Sequence, residues 1–223
     1  LSPIMFAIYH AQALLAQPLG TVIFALKKLP SLIDSDVAVV GQGPIGQLFN
    51  ACVSNLGARH VIGIDRLNSR LKTSPRMGAT ATVNSAEEDP VEAVKQITGG
   101  TLPDVVIEAV GHREQCLEMC AELCRYGGRR LCFGVPEERL QDVAWRTVIM
   151  KNLSIQTSIN PDFRRDFPLA MRWINQGRID VSPIITHRFP LEEIQTAFDV
   201  FKHRREGALK VFLDFPAGNG RAK

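Results

Sequence analysis

Short apolar runs alternate with longer amphipathic stretches along most of the chain. Four consecutive apolar residues, Val37 to Val40, are typical of a buried strand, and Gln47 to Leu56 has the spacing of a helix. Comparable pairs recur as far as Ser158. Repeated strand–helix units of this length predict a parallel sheet with right-handed crossovers, so we expect a doubly wound (Rossmann) α/β fold.

The other predicted elements continue this alternation. Strands are predicted over 61–64, 78–83, 104–111, 130–136 and 153–158, and helices over 67–77, 90–98 and 114–126. Pro75 weakens the end of the helix over 67–77, because proline disfavours helical geometry in the preceding residue. The character changes after residue 159, where helices over 163–176 and 190–202 and a strand over 208–215 predict a C-terminal α+β extension.

Three glycines with G-x-G-x-x-G spacing follow the first strand directly, with Pro44 and Ile45 between the last two. Gly41 permits a tight turn, Gly43 lets the backbone approach a pyrophosphate, and Gly46 allows close packing of helix on strand. The helix that starts here offers unpaired N–H groups and a positive dipole end. This order predicts a dinucleotide site, and a phosphate-free glycine turn is the alternative.

Asp65 ends the second predicted strand, nineteen residues after Gly46. An acid at this point is placed to accept hydrogen bonds from an adenosine ribose, and its charge repels a 2′-phosphate. The sequence therefore favours NAD over NADP. Arg66 and Arg70 follow, and either could stack on adenine or contact a phosphate, with a solvated helix start as the alternative.

Composition argues against several classes of protein. The net charge is only +3, and the basic residues are scattered, which favours solvated faces over a nucleic-acid surface. We expect no membrane span, because no run reaches about 18 apolar residues. The apolar start lacks the features of a signal peptide, and the five cysteines are odd in number. Both features predict a reducing, cytoplasmic setting.

Cys116, Cys120 and Cys124 recur every four residues and would form one stripe on a helix. The apolar residues between them favour packing against the sheet over metal binding. The five histidines are far apart in sequence, and none has a metal-ligand partner at suitable spacing. We predict neither a metal site nor an acid–base or nucleophile constellation within the chain.

Several motifs, in order, resemble the medium-chain dehydrogenase/reductase family, especially its zinc-dependent alcohol and sorbitol dehydrogenases. They are the segments 16–21, 39–46, 104–111, 134–136, 186–191 and 207–210. The resemblance implies an oxidoreductase that moves hydride between the carbon of a small alcohol or polyol and NAD. It also implies a homodimer or homotetramer paired through the sheet edge, for which 146–159 contains an apolar strand.

The same resemblance assigns further residues to the cofactor. It implies that Val110 and Gly111 pass near the nicotinamide ribose. It implies that the carboxamide is flanked by Gly134, Val135, Pro136, Thr157 and Ser158. Lys210 matches a basic position that reaches the pyrophosphate, and an ordinary surface lysine is the alternative reading of it.

The family's upstream GroES-like domain, which supplies most zinc ligands and much of the substrate pocket, has no counterpart in this sequence. We therefore interpret 1–19 as a remnant or linker, 20–159 as the dinucleotide-binding domain and 160–223 as a segment returning toward the catalytic domain. Gln17 stands where sorbitol-dehydrogenase-like members carry a glutamate near zinc. Zinc is expected only through residues outside this chain, and the chain alone is expected to be inactive.

Two other functions fit the same residues. One is a zinc-independent reductase of the same superfamily that acts on an activated double bond. The other is a non-catalytic dinucleotide-sensing module whose partner reads its cofactor state. The identity of the substrate does not follow from this sequence, because the resemblance puts most of the pocket outside it.

Overall fold

A computed structural model describes residues 10–111, 114–140 and 143–215. A six-stranded parallel sheet has the order β3-β2-β1-β4-β5-β6. Its strands are β1 Asp36–Val40, β2 His60–Asp65, β3 Ala81–Asn84, β4 Val105–Glu108, β5 Arg129–Cys132 and β6 Ser154–Thr157. The winding direction reverses between β1 and β4, and ligands of open α/β sheets bind at such a switch point. The predicted doubly wound fold is confirmed.

Two apolar cores lie on opposite faces of this sheet. Val37 and Val39 belong to one core and Ala38 and Val40 to the other, because successive strand side chains point to opposite faces. The first core includes residues of α2 Ala16–Leu26, α3 Pro44–Asn55 and α8 Phe163–Asn175. The second includes residues of α5 Pro90–Ile97 and α6 Glu114–Leu123. Burial on both faces explains why β1 is apolar throughout its last four residues.

A separate two-stranded parallel sheet forms the predicted C-terminal extension. Its strands are β7 Ile185–Pro190 and β8 Lys210–Asp214, and α9 Ile194–His203 lies between them in the chain. The remaining helices are α1 His10–Ala13, α4 Asn68–Leu71 and α7 Trp145–Met150. Within the described residues, no helix is both long and apolar enough to cross a bilayer.

The prediction of a single helix over 67–77 is wrong. Helix α4 ends at Leu71, and a 3-10 turn, Ser74–Met77, follows it. Pro75 has no N–H to donate, and Gly78 ends the turn at a φ of 86°. The predicted helix over 190–202 likewise begins late, because the 3-10 turn Leu191–Glu193 precedes α9.

Several predicted ends also differ from the structure. The strands over 104–111 and 130–136 stop at Glu108 and Cys132. Beyond these ends the N–H groups of Val110 and Gly111 donate to the Glu108 side chain, and that of Gly134 is shared between the carboxylate and the main-chain carbonyl oxygen of Glu108. The sequence analysis did not predict helices α1, α2 and α7 or strand β7. The apolar start over 1–9 and His112 lie outside the described residues.

Candidate functional site

The turn after β1 is built so tightly that two of its glycines are required by the fold. Gly41 has a φ of 93°, and a Cβ on it would lie 2.7 Å from Cγ2 of Val110. A Cβ on Gly46 would lie 1.7 Å from the carbonyl oxygen of Gly41. Helix α3 therefore packs directly on the turn, as the glycine spacing predicts.

Gly43 differs from these two glycines because its surroundings are open. It caps α3 with a φ of −69° and a ψ of −176°, a conformation that any residue can adopt. Within 4 Å, a Cβ there would meet only the guanidinium of Arg70, with Nη1 at 3.9 Å. The space above Gly43 is thus free for a ligand.

The first turn of α3 faces this open space with unsatisfied donors. Pro44 opens the helix, and no side chain of the described residues caps it. Ile45 is partly buried against the first core, so the start of the helix is anchored. Uncapped N–H groups and the helix dipole make such a terminus attractive to phosphate.

Asp65 lies beside the turn and is held from three directions. Its Oδ2 accepts the main-chain N–H of Gln42 at 2.8 Å, and its Oδ1 accepts that of Leu67 at 3.0 Å. Nη1 of Arg70 is 3.5 Å from Oδ2. Nε of Arg70 is buried without an acceptor among the described residues. Arg66, in contrast, is exposed. Asp65 and Arg70 thus both lie beside the glycine turn, and their roles toward a cofactor stay predictions.

A buried polar network that the sequence analysis missed supports this arrangement. Oε1 of Gln42 accepts from Nδ2 of Asn50 at 2.6 Å and from Oγ of Ser74 at 2.8 Å. Nε2 of Gln47 donates to the carbonyl oxygen of Arg70 at 3.0 Å. The network therefore fixes the segment that carries Arg70 against the turn. Polar residues three apart on the buried face of α3 were the signal for it.

Glu108 holds together the chain segments that follow β4 and β5. The sequence analysis did not identify this residue either. Its side chain is buried, and its Oε1 accepts the N–H groups of Val110 at 2.6 Å and Gly111 at 2.8 Å. Its Oε2 accepts the N–H of Gly134 at 3.1 Å. One carboxylate thereby joins the chain segments that follow β4 and β5. A charged residue at the end of an apolar strand was the available signal.

The segments that Glu108 joins line a pocket of about 410 Å³ at the ends of β4, β5 and β6. The predicted residues on its wall are Gly111, Gly134, Val135, Pro136, Thr157 and Ser158. Val110 instead lies against Gly41. Apart from Lys210, the predicted residues therefore form two neighbouring groups, one around the glycine turn and one around the pocket, which meet where Val110 touches the turn.

Lys210 is not brought to either group by the described contacts. It lies in β8, where its carbonyl oxygen accepts from Oγ1 of Thr186 at 3.2 Å. The C-terminal segment does approach α4, because a Cβ on Gly207 would lie 3.5 Å from Cβ of Ser69. A role for Lys210 at a pyrophosphate therefore stays a prediction.

Cys120 of α6 and Cys124, directly after the helix, belong to the second core, whereas Cys116 is only partly buried. Burial raises the pKa of Cys124 to about 12 and that of Cys120 well above its ordinary value, so both thiols stay protonated at neutral pH. Burial also raises the pKa of Cys132, although the nearby Arg130 opposes that change. Among the residues that the structure describes, no group of three His, Cys, Asp or Glu side chains could hold a metal ion.

Comparison with known proteins gives concordant matches. Residues 44–176 match a family model described as zinc-binding dehydrogenase. L-Threonine 3-dehydrogenase of Bacillus velezensis is 31% identical over 206 residues, which are 91% of this chain and 58% of that protein. Alcohol dehydrogenase TADH from Thermus sp. ATN1 has a TM-score of 0.84 at 29% identity, covering 95% of this chain and 59% of that one.

A third match is a solved structure that contains a bound cofactor. A Sinorhizobium meliloti 1021 protein, described as a zinc-binding dehydrogenase bound to NADP, has a TM-score of 0.78 at 27% identity. The match covers 89% of this chain and 58% of that one. The present chain thus spans only 58% or 59% of the length of each of these relatives.

Proposed function

The chain belongs to the zinc-binding dehydrogenase family, and from that premise we propose that it holds NAD(H) for hydride transfer to or from an alcohol carbon. The residues present fit such a cofactor. Gly43 leaves an open approach to the backbone, and the uncapped start of α3 supplies donors for a pyrophosphate. Asp65 would accept hydrogen bonds from the adenosine ribose, and the pocket beyond β5 would receive the nicotinamide end.

Bound nicotinamide supplies the hydride chemistry, and this chain's residues position it. In the proposed complex, Gly111 and Gly134 to Pro136 form one wall around the ring, and Thr157 and Ser158 form the other. Glu108 keeps the first wall in place through its three N–H acceptor contacts. The residue or metal that polarises the substrate oxygen is proposed to lie in the part of the relatives that this chain does not cover.

The position of Asp65 is the observation that carries the choice of NAD over NADP. Its carboxylate is fixed 2.8 Å from the N–H of Gln42, beside the open space at Gly43. A fixed negative charge there repels a 2′-phosphate and favours ribose hydroxyls. Arg70 lies at 3.5 Å from the same carboxylate, so part of its charge is already compensated. By this proposal, the chain differs in its choice of cofactor from the Sinorhizobium meliloti protein, whose structure is described as bound to NADP.

Titration calorimetry with NADH and NADPH tests the proposal. We expect the wild-type chain to prefer NADH and Asp65→Asn to narrow that preference about tenfold, or roughly 1.4 kcal/mol. Asn keeps an oxygen acceptor for the N–H of Gln42 but turns its NH₂ group toward the N–H of Leu67, so the ratio of the two affinities, rather than either affinity alone, is the readout. Glu88→Gln removes an equal charge from an exposed position and serves as the control. Equal binding of both cofactors by the wild type would contradict the proposal.

The proposed pairing of copies rests on β6, an edge strand of the sheet. Ile155 in this strand is 37% exposed, and an unpaired apolar edge invites another strand. We expect multi-angle light scattering to give at least twice the chain mass of 24.7 kDa. A monomer would contradict this part. The domain division at residues 19 and 159 and the cytoplasmic setting stay predictions.

A further inference from the structure

A buried arginine lies in the floor of the pocket, below the strand ends. Arg130 is 4% exposed and lines the pocket from the middle of β5. Its Nη1 donates to the carbonyl oxygen of Leu117 at 2.9 Å, while its Nε has no acceptor among the described residues. The ion pairs of these residues do not include Arg130. The side chain also interacts with the thiol of Cys132, so the unsatisfied part is Nε, and a buried donor without an acceptor is costly unless a ligand supplies one.

A second unsatisfied polar group lines the same cavity. Ser158 is 8% exposed, and its Oγ has no hydrogen-bond partner among the described residues. Arg130 lines the pocket from β5, and Ser158 lines it from the residue that follows the neighbouring strand β6. Two buried polar atoms without partners, Nε of Arg130 and Oγ of Ser158, belong to residues that line one cavity and indicate a polar ligand head between them.

The rest of the wall restricts the ligand further. Its apolar members include Leu117, Phe133, Val143, Trp145, Ile155 and Ile159. Glu108 also lines the cavity, but its oxygens already accept main-chain N–H groups. Its negative charge disfavours a dianion such as phosphate, whereas a single negative charge pairs with Arg130. The pocket therefore suits a monoanion with an apolar body.

We propose that this pocket binds a small apolar carboxylate as a second ligand, with its carboxylate on Arg130 and Ser158. A guanidinium pairs with a planar carboxylate through two parallel N–H donors, which selects this anion. Arg130 stands two residues before the end of β5, and the proposed nicotinamide position lies beyond that end. The carboxylate site therefore goes beyond the proposed cofactor site and adjoins it.

Hexanoate is the probe for this site, and hexanamide is its uncharged counterpart. Trp145 lines the pocket and is one of two tryptophans, so Trp173→Phe leaves it as the sole emitter. We expect hexanoate to change the Trp145 emission with saturation and hexanamide to bind about tenfold more weakly. Arg130→Met should weaken hexanoate binding about tenfold and remove the difference between the two probes. Arg129→Met changes the next residue, whose side chain lies on the other face of β5, and should have no effect.

Two further measurements keep the proposal falsifiable. Ser158→Ala removes a hydroxyl without a partner, so it should fold normally and still weaken hexanoate binding severalfold. Calorimetry should detect hexanoate binding to the NADH-saturated chain. Equal binding of both probes, no effect of Arg130→Met or Ser158→Ala, no binding at all, or strict competition with NADH would overturn the second site. Ser158 borders both proposed sites, so NADH binding is titrated without hexanoate in the wild-type chain, and the failure of this proposal stays distinguishable from that of the proposed function.

Discussion

The main-chain N–H of Gln42, inside the glycine turn, donates to Oδ2 of Asp65 at 2.8 Å. The acid at the end of β2 is therefore tied to the turn at the end of β1. Arg70, with Nη1 3.5 Å from the same carboxylate, extends this arrangement to the space above Gly43. Changes to the turn should consequently alter both stability and cofactor binding, in proportions that depend on the residue.

Gly46→Ala should damage the fold itself. Its Cβ would lie 1.7 Å from the carbonyl oxygen of Gly41, so the turn or α3 must move. Overpacking of this kind costs about 1–3 kcal/mol or more. Urea unfolding should show a lower free energy of unfolding, with NADH binding lost as well. A variant with unchanged stability would contradict the close packing of α3 on the turn.

Glu108→Gln should loosen the wall of the pocket. The carboxylate accepts from three N–H groups, whereas an amide offers one oxygen and turns an NH₂ group toward the remaining N–H. We expect a loss of about 1–3 kcal/mol in the free energy of unfolding and weaker NADH binding. Glu118→Gln, on the exposed side of α6, is the control and should change neither. Equal behaviour of the two variants would count against this role for Glu108.

Acid should destabilise the chain partly through Asp36. Burial raises the pKa of this carboxyl, but hydrogen bonds from Arg59 and His60 outweigh it, so the net pKa lies below the ordinary 3.8. Because the pKa of this carboxyl is lower in the folded than in the unfolded chain, its contribution to stability is complete at pH values above the unfolded-state pKa. The contribution is lost as the pH falls through the folded-state pKa. We expect the free energy of unfolding to fall below about pH 4.

Asp36→Asn isolates this contribution. The variant should be less stable at neutral pH by about 1–3 kcal/mol and should lose less stability than the wild type below about pH 4. Asp34→Asn is the control, because Asp34 is 77% exposed and lies 3.8 Å from the same Arg59. Parallel stability curves for wild type and Asp36→Asn in acid would contradict the assignment.

The segment from Val37 to Asp65 could be predicted from sequence because the requirements on its residues come from parts of the chain that are close in sequence. A strand buried on both faces needs an apolar run, a turn at positive φ needs glycine at Gly41, and a helix packed on that turn needs Gly46. The position of Asp65 at the end of β2 then follows from the length of one helix and one strand. These requirements act within about 30 residues of chain, as in other βαβ units.

Glu108 and Arg130 could not be predicted in the same way. The partners of Glu108 include Gly134, which a helix and a strand separate from it in sequence. Arg130 breaks the apolar pattern of β5, and only the three-dimensional pocket shows why a charge there matters. Helix α2 escaped prediction for another reason: it is buried on most of its surface and so lacks a polar stripe.

Calorimetric titration of NADH into the wild-type chain and Gly43→Ala tests the central proposal most directly. The φ of −69° suits alanine, so the variant should be as stable as the wild type or gain about 0.4–1 kcal/mol. Its Cβ would fill the open space where we place the pyrophosphate, so NADH affinity should fall at least about tenfold. A stable Gly43→Ala variant with undiminished NADH affinity would contradict the account.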